Sequence, residues 1–441
     1  MSLATPQESR GHLLNVLGVS FGIAVAIGGM IGAGILRTPS AIAAQVPDAR
    51  LILLLWAIGA VHAAFEANVV SELATAIPRA GGFYVYAHRA FGDVGGLVVG
   101  WTTWISRLAS SSALSVAFAD FLALLWPAVA QHTVLASIAV LVAMFGLNMV
   151  GLREGRTFQE LTSFIKALAL AAFCVVAFLT AAPNPPSVAA MLPAAGWLGA
   201  IAAYQAIVGA YAGWYEPAFF AEENTQPGRS VPRAMFTGLA IAAVLYLALN
   251  AALLRALGVA DVAHGTLPYA TVLGQIAGHT TSALFAVGAM FVVVSCANAG
   301  IMSAPRILLA LSRDGLLPAM FRNVNKRGSP TVAFAMTAVC SILLTMTGSF
   351  VLLFGLIGTL GVAAFILTIA SIFVLRRREP DLPRPYRAFG YPLLPALVLA
   401  VDIALLVLFL NANWWGALYA VILWLACIPF AMVARRANRA R

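Results

Sequence analysis

The sequence carries little charge. Only 10% of its 441 residues are Asp, Glu, Lys or Arg, whereas 62% are hydrophobic. Soluble globular domains have about 25% charged and about 45–50% apolar residues. Together with a mean hydropathy of +0.93, this composition excludes an ordinary soluble domain and indicates a protein that spans a membrane.

Cysteine is also scarce. The four cysteines lie far apart inside apolar runs and form no CxxC pair, so we interpret them as small core hydrophobes rather than as a disulfide or a metal site. We expect no metal and no cofactor. Residues 1–12 lack the basic start, apolar core and cleavage site of a secretory leader, so we expect no removed signal peptide. The cysteines are Cys174, Cys296, Cys340 and Cys427.

Sequence patterns typical of membrane enzymes and channels are missing. The chain has no HExxH, no GxSxG and no clustered metal ligands beside its apolar runs, so we expect no enzyme. It also has no repeated carbonyl filter or charge ring of the kind that lines a channel. The net charge of +10 is spread over loops rather than gathered in one patch, which argues against binding to nucleic acid.

Long apolar runs, in contrast, fill the chain. A membrane-spanning helix needs about 20 mostly apolar residues, and the sequence predicts twelve such spans. Basic residues gather in the loops of one face, including 376–387 and 435–441, which favours two cytoplasmic termini in a cell inner (plasma) membrane. Topology and attraction to anionic lipid then explain the net charge. The spans are 15–45, 50–77, 95–127, 132–150, 157–182, 194–221, 231–257, 278–312, 329–347, 350–375, 391–411 and 413–433.

Glycines interrupt two of these spans. Span 1 contains IGGMIGAGIL (27–36), and span 6 contains VGAYAGWYEPAFFAEE (208–223). Interior glycines disfavour a helix, and unwound backbone in a membrane is tolerated only where it is buried or lines a cavity. Paired interruptions in the two halves point to a transporter binding site at the bilayer midplane. Close helix packing through Gly28 and Gly32 is the alternative explanation.

Five passages, in this order, resemble the amino acid–polyamine–organocation superfamily of transporters, near the L-type amino acid transporters and their bacterial relatives. They are GMIGAGIL, SELATAIPRAGGFYVYAHRAFG, EGRTFQELTSFIKALAL, AEENTQPGRSVPRAM and SCANAGIMSAPRILLALSRDGLLP. The resemblance implies an all-α integral membrane fold of 12 transmembrane helices, with a LeuT-like 5+5 inverted repeat and broken helices 1 and 6. The implied segments are a cytoplasmic N-terminus (1–14), a first repeat (15–182), a second repeat (194–375), helices 11 and 12 (391–433) and a basic tail (434–441).

The resemblance also implies a substrate site built from backbone. The substrate carboxylate would lie on N–H groups at the first interruption, which an exposed helix N-terminus can supply. These belong to Ile31, Gly32, Ala33 and Gly34. The α-amino group would lie on carbonyls of the second interruption, at Gly209, Ala210 and Ala212.

One position departs from the family pattern. Eukaryotic L-type members carry a bulky aromatic gate where this chain has Gly209. Either Tyr211 or Tyr204 caps the pocket instead, or the pocket is wider.

Lys166 stands alone in an apolar stretch of span 5. An unpaired lysine at mid-membrane costs about 2.5–3.5 kcal/mol on insertion scales, unless its side chain reaches an interface. The resemblance implies that the ammonium replaces a sodium ion and tethers span 1. We therefore expect no sodium coupling, and a role in proton coupling is open.

Two more charged residues fall inside spans, Arg107 in span 3 and Glu216 in span 6. Intramembrane charges pair with one another or face a cavity. Either the two neutralise each other, or at least one reaches the substrate side chain. In the second case Ser111, one turn from Arg107, would line the pocket too.

For two further groups of polar residues the sequence leaves two interpretations open. His62 and Glu66 share a face of span 2 and form either a packed, satisfied pair or a proton relay. Glu222 and Glu223, with Arg229, form either part of an inner gate or a solvated loop. Arg37 is expected near the extracellular mouth.

The sequence therefore predicts a sodium-independent amino acid transporter that works by alternating access, with exchange or proton coupling. The alternative is an amine or polyamine permease, whose substrate would leave the N–H groups of span 1 unused. The expected partners are a small amino acid substrate and membrane lipid. Because no cysteine lies in a predicted extracellular loop, we expect no covalently linked partner subunit.

Overall fold

A computed structural model describes residues 13–180, 196–265, 267–277 and 281–412, together with the single positions 418, 422 and 425. Most of predicted span 12, the basic tail and most of the N-terminal segment lie outside the described residues. The loop between the two predicted repeats also lies outside them.

The described residues fold into α-helices joined by short loops and three 3₁₀ turns. The turns are Pro127–Gln131, Glu216–Glu223 and Ala319–Arg322. The helices are α1 (Val19–Met30), α2 (Ala33–Gln45), α3 (Ala49–Ala76), α4 (Phe83–Leu125), α5 (Thr133–Val150), α6 (Leu152–Thr180), α7 (Gly196–Tyr211), α8 (Pro227–His264), α9 (Pro268–Ala277), α10 (Thr281–Arg313), α11 (Thr331–Thr345), α12 (Phe350–Arg378) and α13 (Leu393–Ala412).

Seven of the described helices are long and apolar enough to cross a membrane, and the bent pair α1–α2 makes an eighth candidate. Two further apolar helices, α11 and α13, are shorter. This architecture is that of a multi-pass membrane protein. Its helix positions agree with predicted spans 1 to 11 to within a few residues, except where described next.

The largest departure is at the start of α4. Span 3 was predicted from residue 95, but the helix begins at Phe83 and bends at Gly92, whose φ is +72°. Residues 83–91 include His88 and Arg89 and are too polar for an apolar run, yet they contain no helix breaker. The interval between predicted spans 2 and 3 was expected to be a loop, and that expectation is wrong for residues 83–91. Hydropathy detects residues that lie in lipid, and a helix can extend beyond them.

The middle of the molecule is occupied by α1. This helix packs against α6, α8 and α10, and most of its side chains are buried. Because α1 has protein on several sides, its C-terminal end can leave helical geometry without exposing backbone to lipid. The packing therefore places the first interruption inside the protein.

Candidate functional site

The first predicted interruption is present. α1 ends at Met30, α2 begins at Ala33, and the two helices meet at 42°. Between them Ile31 and Gly32 are extended, and Gly32 precedes α2 without a side-chain cap. The first N–H groups of a helix have no partner within it, so the start of α2 offers donors to a ligand.

The second interruption is present as well. α7 ends at Tyr211, and after a short turn the chain continues as the 3₁₀ turn Glu216–Glu223, with Pro217 at its start. Gly213 lies in the turn with φ +124°. A non-glycine residue rarely adopts that conformation, so this glycine fixes where α7 stops.

The two interruptions touch. A Cβ added at Gly29 would lie 3.1 Å from Gly213 Cα and 2.9 Å from Glu216 Cγ, and a Cβ at Gly213 would overlap the Gly29 backbone. Other glycines of span 1 face other neighbours: Gly28 meets Gln159 of α6, and Gly32 meets Cys296 of α10. Close packing and helix interruption therefore operate together, rather than as alternatives.

A cavity of about 110 Å³ lies between the interrupted segments. About 10–15 Å³ of such space holds one water molecule, so a small organic molecule fits. Seven predicted site residues line the cavity: Gly32, Gly34, Arg107, Gly209, Ala210, Ala212 and Glu216. Lining residues that sequence reasoning missed include Ser106, Ser110, Tyr215, Cys296 and Gly300.

Three predicted substrate-binding residues lie outside that lining, and the side chain of Ala33 is outside the part of the chain that the structure describes. Ser111 donates its hydroxyl to the carbonyl of Arg107, 2.9 Å away on its own helix, and its neighbour Ser110 lines the cavity instead. The N–H of Ile31 is bonded to the carbonyl of Ile27 at 3.0 Å, so it is already occupied by α1. Tyr211 donates to the carbonyl of Trp56 at 3.2 Å.

The pocket has no tyrosine cap of the predicted kind. The Tyr211 ring packs on Trp56, and the Tyr204 ring stacks on His62. An added Cβ at Gly209 would meet no described atom within 4 Å. The geometry agrees with the wider pocket among the alternatives above.

Lys166 is fully buried and reaches the first interruption. Its ammonium donates to the carbonyl of Gly28 at 2.9 Å and to that of Ile31 at 2.7 Å. Both carbonyls belong to the end of α1, where the helix leaves its last acceptors without partners. The ammonium therefore supplies two donors to carbonyls at the end of α1.

Arg107 and Glu216 form a buried ion pair across the cavity wall. The Arg107 guanidinium also lies 4.6 Å from the centre of the Phe219 ring and 5.2 Å from that of Tyr215. One nitrogen of Arg107, Nη2, and one oxygen of Glu216, Oε2, have no hydrogen-bond partner among the described atoms. The pair is thus neutral overall and retains one free donor and one free acceptor.

Tyr246 of α8, which the sequence did not single out, joins the two interruptions. Its hydroxyl lies 2.7 Å from the carbonyl of Met30 and 3.0 Å from that of Ala210. A lone tyrosine in an apolar span is the only sequence signal for this role.

Two ion pairs join the end of the second interruption to α10, one fully buried and one partly buried. Glu223 accepts from Arg306 at 2.5 and 2.8 Å, and Glu222 accepts from Arg313 at 2.7 Å. The backbone of Leu17 also donates to the Glu223 carbonyl. Glu223 is fully buried, so the solvated-loop reading is wrong for it. Its partner is Arg306 on α10.

His62 and Glu66 are not a satisfied pair. His62 Nε2 lies 4.0 Å from Glu66 Oε1, beyond hydrogen-bond reach, and 3.6 Å from Asp402 Oδ1 of α13. Asp402 was missed, although a lone acid inside an apolar span is itself a signal. Arg37 lies at the surface, 3.5 Å from Asp120.

The family model for amino acid permeases matches residues 17–432. The chain belongs to the amino acid permease family. It is similar to a serine/threonine exchanger of Bacillus subtilis, with 25% identity over 98% of this chain and 99% of the relative. A branched-chain amino acid permease of the same organism is 25% identical over 88% of this chain and 86% of the relative. A large neutral amino acids transporter small subunit of Rattus norvegicus is 24% identical over 84% and 72%.

Family membership makes this permease a membrane transporter of amino acids and not an enzyme. The relatives align with nearly all of the chain, so the match includes both interruptions and the helices that carry Lys166, Arg107 and Glu216.

Proposed function

We propose that this permease is a sodium-independent amino acid transporter that works by alternating access at the cavity between the two interruptions. The observation that carries the proposal is the meeting of two helix ends of opposite polarity. The N-terminus of α2 at Gly34 and the C-terminal end of α7 at Ala210 border the same cavity, with an added Gly34 Cβ 3.6 Å from Ala210 Cα. Helix N-termini attract anions and C-termini attract cations, which matches a zwitterion.

Within that cavity the substrate carboxylate would lie on the N–H groups of Gly32, Ala33 and Gly34. The α-amino group would lie on carbonyls of Gly209, Ala210 and Ala212. Ala210 already accepts from Tyr246, but a carbonyl oxygen has two lone pairs, so one remains for the substrate.

Sodium independence rests on Lys166. The ammonium supplies a fixed positive charge and two donors to the end of α1. A sodium ion at the same carbonyls would be repelled by that charge at close range. Transport would therefore proceed by exchange of one substrate for another or by coupling to protons.

The side-chain pocket favours small, uncharged polar substrates. Because Arg107 and Glu216 neutralise each other, a charged substrate side chain would leave one of them buried without a counter-charge, which is costly. Their free Nη2 and Oε2 atoms instead suit a hydroxyl or amide group, which both donates and accepts. The open space at Gly209 leaves room for such a side chain.

The amine or polyamine alternative fits this site less well. An amine lacks the carboxylate that the N-terminus of α2 would hold, and Glu216, its natural counter-charge, is already paired with Arg107. The twelve-span inverted repeat, the plasma-membrane location, the cytoplasmic termini and the absence of a covalently attached subunit belong to the same proposal. They are supported by the loop charges and by the positions of the cysteines.

Uptake into proteoliposomes tests the proposal. Labelled serine, threonine, asparagine, leucine, glutamate, arginine and putrescine are offered in sodium-free buffer, with the same compound unlabelled inside. We expect uptake of serine, threonine or asparagine at least ten times faster than that of glutamate, arginine or putrescine, and no change above twofold on adding sodium. Uptake of putrescine alone would support the amine permease, and a strict need for sodium would overturn the role of Lys166.

A further inference from the structure

A second group of buried ionisable side chains lies outside the substrate cavity. His62 and Glu66 are one turn apart near the middle of α3, and Asp402 is near the middle of α13. Their nearest nitrogen and oxygen atoms all lie within 4.8 Å of one another. The three residues, here named the His62 cluster, are at most 7% exposed.

The His62 cluster lacks a permanent positive charge. Within the described chain no lysine or arginine forms an ion pair with any of its members. Two carboxylates beside a neutral imidazole would place two like charges in a medium of low dielectric, which is strongly disfavoured. A proton relieves this repulsion, either on a carboxylate or on the imidazole, where it creates a counter-charge.

The cluster is also short of hydrogen bonds. His62 Nε2 and Asp402 Oδ2 are buried and have no partner among the described atoms. Buried polar groups are normally satisfied, and exceptions call for an explanation. An added proton would supply a donor to this group. His62 Nε2 lies 3.6 Å from Asp402 Oδ1, so a small approach of the two side chains would then complete a hydrogen bond.

The cluster touches both sides of the second interruption. The Tyr204 ring of α7 stacks on His62 with ring centres 6.1 Å apart, and the Trp214 side chain interacts with Glu66. Trp214 immediately precedes Tyr215 and Glu216, both of which line the cavity. A change at the cavity that moves this segment therefore changes the surroundings of the cluster.

The other groups that face the cluster are uncharged. Tyr204 interacts electrostatically with Glu66 and Asp402, and Tyr215 interacts with Glu66. α8, α12 and the 3₁₀ turn Glu216–Glu223 also pack along α3. The glutamates of that turn pair with Arg107, Arg313 and Arg306, and none of these elements adds a charged side chain to the described contacts of the cluster. Its charge is thus set by the number of protons that the cluster itself holds.

We propose that the His62 cluster is a proton-binding site whose occupancy is coupled to substrate binding, which makes this permease a proton-coupled transporter. The proposal rests on the proposed function, since it assigns the coupling ion and its site. By linkage, a substrate that is bound more tightly when the cluster is protonated must also raise the affinity of the cluster for its proton. One proton would enter and leave with each substrate molecule.

The first test does not depend on transport. The permease in detergent has nine tryptophans, and Trp214 contacts the cluster, so tryptophan fluorescence is followed against pH. We expect a transition in the wild type that is lost in His62→Gln and at least halved in Trp214→Phe. The matched control His132→Gln changes an exposed histidine and should keep the transition. An unchanged transition in His62→Gln would overturn the proposal.

The second test measures coupling in proteoliposomes loaded with a pH-sensitive dye. Substrate uptake by the wild type should acidify the lumen by about one proton per substrate, and an inward proton gradient should drive accumulation. We expect His62→Gln and Asp402→Asn to lose gradient-driven accumulation at least tenfold while keeping exchange within about threefold of the wild type.

The outcomes separate the two proposals. Net substrate uptake by the wild type without any proton movement would overturn proton coupling and leave amino acid transport intact. No uptake of any amino acid would instead overturn the proposed function. The fluorescence test would still decide whether the His62 cluster binds a proton. Stoichiometric zinc in the purified wild type, absent from His62→Gln, would overturn the proton site in favour of a metal site.

Discussion

Lys166 on α6 and Ile31 at the end of α1 are joined by a hydrogen bond of 2.7 Å from the ammonium to the carbonyl oxygen. The same ammonium reaches Gly28 at 2.9 Å. A single side chain from a neighbouring helix thus holds the last turn of α1 where the chain leaves helical geometry. The position of the α1 end, and with it the cavity wall, depends on this contact.

Replacing Lys166 by methionine should uncouple α1 from α6. The apolar volume is retained, but two buried carbonyls lose their donor, at a cost of about 1–3 kcal/mol each. We expect exchange in proteoliposomes to fall at least tenfold. Lys326→Met, at the exposed second lysine of the chain, is the control and should exchange normally. Unchanged exchange in Lys166→Met would show that the contact is not needed for transport.

Arg107 and Glu216 should behave as a coupled pair in stability. Breaking a buried ion pair by removing one partner costs about 3–5 kcal/mol, because a buried charge is left uncompensated. We expect Arg107→Gln and Glu216→Gln each to lower the melting temperature in detergent, and the double variant to recover most of the loss. The exposed pair Arg89–Glu379 is the control, with effects of about 0–1 kcal/mol. Additive losses in the double variant would contradict the coupling.

Gly213→Ala should prevent the two interruptions from meeting. The added methyl group would overlap the backbone of Gly29, and φ at +124° is itself strained for alanine. We expect little monodisperse protein in size-exclusion chromatography and no exchange. Gly146→Ala, where an added Cβ meets no described atom within 4 Å, should fold at least as well as the wild type. A well-folded, active Gly213→Ala would refute the contact.

Substitutions at Gly209 should change the size of substrate that the permease accepts. Tryptophan there would fill the open space in the pocket, whereas alanine would occupy little of it. In competition assays we expect Gly209→Trp to weaken the larger accepted substrates at least tenfold relative to serine, and Gly209→Ala to change the ratio less than threefold. Gly146→Trp, on an exposed face of α5, controls for bulk. An unaltered substrate ratio in Gly209→Trp would place the side-chain pocket elsewhere.

Much of the fold was predictable because a segment that crosses the membrane must be apolar, and hydropathy detects such segments. A span must be apolar over about 20 residues, so most of the long helices could be located from hydropathy, whereas the short helix α9 was not predicted. The two interruptions were predictable for a related reason, since clustered glycine and proline disfavour helix wherever they occur. Helix ends beyond the membrane were not predictable, as the early start of α4 at Phe83 shows, because hydropathy reports burial in lipid rather than backbone geometry.

Which side chains meet was decided by tertiary structure alone. The sequence singled out Arg107, Glu216 and Lys166 because an intramembrane charge is costly without a partner, but it left two readings open for the pair. In the reading that put Arg107 or Glu216 on the substrate, it placed Ser111 in the pocket, whereas Ser110 lines the cavity; one residue along a helix turns a side chain by about 100°.

Asp402 illustrates the same limit. Its contact with His62 joins residues 340 positions apart in the chain, and no local pattern encodes such a distance. The sequence by itself determined that the chain lies in a membrane, where its helices run and where they are interrupted. Only the packing of those helices decided which charges are neutralised, which carbonyls are held by Lys166 and Tyr246, and which buried groups remain free to bind a proton.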